Sequence, residues 1–132
     1  MGAARRVLVL ADDVIWAERL VRLLKACGAT PILRSDGRLP LPDGGERPLA
    51  EAPTAPAAVV DLEAHSFDGT AAVTRAREAG LVVLALGPHG AVDLQRAVRA
   101  AGAEFVPYRR MAQGGVEILG SWLARIFDSG DR

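Results

Sequence analysis

The segment Ala57-Ala58-Val59-Val60-Asp61 constrains the fold more than any other stretch. A short apolar run ends on a carboxylate, then breaks into a polar loop, Leu62 to Asp68, that closes on Gly69. Val59 and Val60 are β-branched, and so short a run between turn-forming residues suits a parallel strand covered on both faces. Asp61 then stands at the carboxyl end of that strand, where open α/β sheets place their ligands.

The rest of the chain alternates strand and helix around this run. Arg6 to Leu10 predicts a first strand, ended by Ala11-Asp12-Asp13. Ile15, Leu20, Leu23, Leu24 and Cys27 then recur at helical spacing from Val14 onward, with Gly28 as the stop and Asp12 or Asp13 as the cap. Thr30 to Arg34 predicts a second strand. After the Asp61 strand, Asp68-Gly69 opens a helix with Ala72, Val73, Ala76 and Ala79 inward, and Gly80 ends it. Leu81 to Leu86 predicts a fourth strand. Ala91 to Ala101 predicts a helix with Leu94, Ala97, Val98 and Ala101 inward, and Glu104 to Tyr108 a fifth strand. Val116, Leu119, Trp122, Leu123, Ile126 and Phe127 mark a final amphipathic helix. The alternation predicts an α/β fold: a flavodoxin-like, doubly wound, five-stranded parallel sheet of (βα)5 type.

Residues 35–57 interrupt the pattern. Their proline and glycine density forbids a long helix, Pro42-Asp43-Gly44-Gly45 is a turn signal, and Leu39, Leu41 and Leu49 suit a small hairpin or a clipped surface loop. An inserted, irregular connection between strands two and three is the expectation, within one domain spanning 1–132.

Composition excludes several classes of function. The formal net charge is zero, which argues against nucleic acid and anionic membrane as partners. No apolar stretch nears the ~20 residues of a membrane span. The run Val7 to Leu10 is cut short by Asp12 and Asp13, so no signal peptide is expected. Cys27 is the single cysteine, which rules out an intrachain disulfide and points to a reducing cytoplasm. Lys25 is the single lysine and lies in the first helix.

Asp12-Asp13 after strand one, Asp61 after strand three, Gly69 eight residues beyond it and Gly102-Ala103 before strand five together resemble the receiver domain of two-component response regulators. The resemblance runs from Arg6 to Phe127. It implies that Asp12 and Asp13 help hold Mg²⁺, with Asp61 and the backbone carbonyl of Glu63 as further ligands. It also implies that Asp61 accepts a phosphoryl group from a histidine kinase and that the output passes to another signalling protein without enzymatic turnover. The chemistry is coherent, since converging carboxylates repel one another and a divalent, oxygen-seeking cation relieves them and neutralises the transferred group.

Two positions depart from the family. A hydroxyl residue should end strand four, but no Ser or Thr occurs between Leu81 and Val92, and Leu86 or Gly87 holds that place. A lysine should end strand five. Tyr108 is the nearest match, with Arg109 one position on, and a guanidinium is no simple replacement for an ammonium. His65 stands where the family usually has proline.

Two readings therefore stay open: an atypical single-domain receiver, and a phosphorylation-independent pseudo-receiver that binds a protein or small ligand. His65 and His89 lie in adjacent loops above the sheet and could meet near the pocket. Trp16 and Trp122 read first as core packing, whereas an exposed Trp122 beside Ile118 or Leu119 would instead make the last helix a homodimer face.

Overall fold

The computed structural model describes residues 5–39 and 55–128. The expected turn at Pro42-Asp43-Gly44-Gly45 and the hairpin involving Leu41 and Leu49 lie outside these residues.

Five parallel strands form one sheet: β1 (Arg6–Leu10), β2 (Thr30–Arg34), β3 (Ala57–Asp61), β4 (Val82–Gly87) and β5 (Glu104–Pro107). Their order, β2-β1-β3-β4-β5, is that of the flavodoxin-like class. Four helices accompany them: α1 (Val14–Ala26), α2 (Gly69–Glu78), α3 (Val92–Ala100) and α4 (Tyr108–Leu123), the last running into a π-helical turn over Ala124–Asp128. No helix among the described residues is long and apolar enough to cross a membrane.

Strand side chains alternate between faces, and the two faces build two cores. Val7, Val9, Val59, Leu84 and Leu86 join Leu20 and Leu24 of α1 and Met111, Leu119, Trp122 and Leu123 of α4. Leu8, Leu10, Val60, Val83 and Ala85 join Ala72, Val73 and Ala76 of α2 and Val98 of α3. Burying each such leucine contributes about 1.5–3 kcal/mol. Both faces of the sheet being covered explains why its strands lack polar alternation.

Several local expectations are corrected. Ile15 is 67% exposed, because the α1 cap turns the first helical turn outward and the buried face begins at Ala17. Ala97 and Ala79 are also exposed. Strand five ends at Pro107, whose extended backbone (φ −64°, ψ 147°) serves as the cap of α4, so Tyr108 opens a helix. The final helix thus starts well before Val116 and absorbs Gly114, where a non-helical backbone (φ −137°, ψ 36°) kinks it. Trp122 is 1% exposed and packs in the core against α1, as does Leu119. These two residues cannot present the dimer patch described above.

Candidate functional site

The strand order reverses between β1 and β3, and the crevice at that reversal opens over the carboxyl ends of the strands. Asp12 and Asp13 follow β1, and Asp61 ends β3. Register does the rest. Asp61 lies beside Leu86 on β4, and Gly87 beside Pro107 on β5, so Asp61, Gly87 and Tyr108 reach the same edge.

Each carboxylate has a distinct task. Asp13 caps α1, its Oδ1 accepting from the amides of Ile15 at 2.9 Å and Trp16 at 3.1 Å. This cap fixes where α1 begins and sets Trp16 at the mouth of the site. Asp12 turns to the β3–α2 loop: the His65 amide donates to both its oxygens, at 3.0 and 2.8 Å, and the Ser66 amide donates to Oδ2. The Ser66 hydroxyl in turn donates to the Ser35 carbonyl at 2.9 Å, tying that loop to the end of β2. Hydrogen bonding from Ser66 holds Asp12 below the usual carboxylate range, against an opposing effect of burial.

Asp61 is the only buried charged residue among those described, at 1% exposure. Its Oδ1 accepts from the Glu63 amide at 3.1 Å and from the Tyr108 hydroxyl. Tyr108 is held in turn by Trp16, the ring centroids 5.2 Å apart and tilted by 31°. The Arg19 guanidinium lies 4.8 Å from the Trp16 centroid. Burial first, and then the bond to Asp61, push the Tyr108 phenol well above its ordinary range.

Above these groups lies an open cleft of about 700 Å³ lined by Asp13, Trp16, Asp61, Leu62, Glu63, His65, Leu94 and Tyr108. Asp12 does not line it, nor does His89, so the structure does not bring the two histidines together there. With Asp12 spent on loop amides and Asp13 on its helix, no group of three His, Cys, Asp or Glu side chains among the described residues converges to hold a metal ion. As arranged, the donor set does not fit a hard divalent cation, which needs several oxygens at one point.

No family model matches the sequence, and none of the curated proteins compared matches it. Solved structures do. The receiver domain protein (CheY-like) of Methanospirillum hungatei JF-1 superposes with a TM-score of 0.70 at 16% identity, over 93% of this chain and 96% of that one. The receiver domain of TorR, a response regulator of the TMAO respiratory system, gives 0.72 at 15% identity, over 92% and 98%. The BeF3-activated DrrB receiver domain gives 0.70 at 16%, over 96% and 99%. The fold is the receiver fold.

Within that fold the departures acquire a physical account. Leu86 points into the core and is fully buried. Gly87 stands at the edge, but a Cβ there would lie 2.9 Å from Cε1 of Phe105 and 3.1 Å from Cδ1 of Leu62. The Phe105 ring therefore fills the space that a hydroxyl residue would need. Arg109 is exposed and does not line the cleft, whereas Tyr108 reaches Asp61 directly. Gly69 is obligatory for a different reason: a Cβ there would meet the Leu62 backbone at 2.6–2.9 Å, so the α2 start can close on β3 only without a side chain.

Sequence reasoning did not single out Phe105 or Leu94 for the site. Phe105 alternates like any core strand residue, and only the β4–β5 register places it against Gly87.

Proposed function

We propose that this chain is an atypical receiver module of two-component signalling that acts by contact with a partner protein, without turning over a phosphoryl group at Asp61. The observation that carries this reading is the hydrogen bond from Tyr108 to Asp61 Oδ1. The carboxylate that the receiver resemblance makes the phosphoacceptor already spends one oxygen inside the protein, on a phenol and on the Glu63 amide. Two further observations support it: the acidic side chains do not converge on a metal, and Phe105 closes the position beside Gly87.

The residues then have structural and recognition roles. Asp13 starts α1, Asp12 holds the β3–α2 loop, and Tyr108 couples Asp61 to the first turn of α4. A change at the cleft would be felt at α4 through Tyr108 and at α1 through Trp16. On this reading the partner is a histidine kinase or another signalling protein, and the compartment is the cytoplasm.

The test is tryptophan fluorescence with Mg²⁺ and beryllofluoride, a phosphoryl mimic, using Asp61→Ala as control. Trp16 lines the cleft and Trp122 is buried, so Trp16 is the reporter. No saturable, Asp61-dependent change is expected. A saturable change lost in the variant would restore the phosphorelay reading.

A further inference from the structure

We propose that residues 108–113 form a hinged segment of α4 that swings about Gly114 and is latched onto the sheet through Tyr108. The chain supplies two adjacent glycines, and they stand there for different reasons. A Cβ on Gly115 would lie 2.6 Å from Cδ1 of Leu23 and 3.3 Å from Sδ of Met111, so Gly115 is bare to let α1 and α4 close on each other. A Cβ on Gly114 would meet nothing within 4 Å, and its φ of −137° is not left-handed. Neither crowding nor handedness asks for glycine at 114. What glycine supplies there is backbone freedom, at the residue whose φ and ψ already leave the helix.

The two sides of Gly114 are held differently. Beyond it, Leu119, Trp122 and Leu123 are buried in the core that α4 shares with α1 and the sheet. Before it, Arg109, Arg110, Ala112 and Gln113 are exposed, and Met111 is the segment's one fully buried side chain. Pro107 caps the segment without a side-chain hydrogen bond, and a helix of under two turns has little stability of its own. Tyr108 is then the polar fastening: its hydroxyl donates to Asp61 and its ring rests against Trp16. The latch lies at the cleft and the hinge at the far end of the segment. A change at Asp61 that frees the Tyr108 hydroxyl therefore lifts residues 108–113, withdraws Met111 from the core and leaves the rest of α4 in place.

The hinge rests on backbone and packing rather than on the proposed signalling role, and its test reads chain motion, so either can fail alone. The experiment is amide hydrogen exchange of the full chain, followed residue by residue by NMR at low urea concentrations. The Ala112 and Gln113 amides are expected to be about tenfold less protected than those of Leu119 and Trp122 and to respond little to urea, the mark of a local opening. Tyr108→Phe should speed exchange at Ala112 and Gln113 about tenfold, still with little urea dependence. Gly114→Ala has room for its Cβ and a higher helix propensity, and should slow exchange at those two amides roughly fivefold, toward Leu119. Equal protection and equal urea dependence on the two sides of Gly114 in the wild type would overturn the proposal, whether or not either variant folds. Unchanged exchange at Ala112 and Gln113 in a folded Gly114→Ala variant would overturn it as well.

Discussion

The hydroxyl of Tyr108 donates to Oδ1 of Asp61 across 47 residues of sequence, from the first position of α4 to the last position of β3. A position where the receiver resemblance expects a lysine thus carries a neutral donor. The bond neutralises no charge, but it satisfies a buried oxygen and fixes where α4 begins relative to the sheet.

Tyr108 is the single tyrosine, so phenolate absorbance reports it alone. Its folded pKa is raised by burial and by Asp61. For a group raised in the folded state, the stabilisation is fully present below the unfolded value, near pH ~10, and fades as pH rises through the folded value. An alkaline titration should therefore show phenolate only as the protein unfolds. Tyr108→Phe should cost about 1–2 kcal/mol at neutral pH and remove this alkaline dependence. A free phenol titrating at pH ~10 in the folded protein would contradict the bond.

Gly87→Thr places a Cβ against the Phe105 ring and should destabilise the chain by about 1–3 kcal/mol in urea unfolding. Phe105→Leu in the same chain should recover part of that loss, because the two sites share one volume. Strict additivity of the two substitutions would show that the ring is not what closes the position.

Asp12→Asn tests the loop anchor. The side chain holds two amides of the β3–α2 loop, and its depressed pKa means that its stabilisation is present above about pH 4 and lost as pH falls through the lower folded value. The variant should lose about 1–2 kcal/mol at neutral pH and lose stability less steeply in acid. Amide exchange at His65 and Ser66 should quicken first.

The fold was legible because local signals agreed. Gly28, Gly80 and Gly102 follow α1, α2 and α3 with φ of 85°, 89° and 90°, the left-handed conformation that a helix stop needs. The apolar run ending at Asp61 is β3. The site was legible only as a set of positions. That Asp13 would cap α1 could be read from adjacent residues, but the binding of Asp12 to amides 53 and 54 residues away could not. The start of α4 was hidden because Gly114-Gly115 looks like a loop, while Met111 before it and Leu119 after it are what bury the helix. Trp122 shows the converse limit: helical spacing places it on the apolar face, but only packing against α1 decides between core and surface.

The measurement that tests the central claim most directly is the intact mass of the chain after incubation with Mg²⁺ and acetyl phosphate, beside Asp61→Ala. With Asp61 Oδ1 bonded to the Tyr108 hydroxyl and Asp12 held by the β3–α2 loop amides, both proteins should keep their unmodified mass. A gain of one phosphoryl group by the wild type, absent from the variant, would contradict the account.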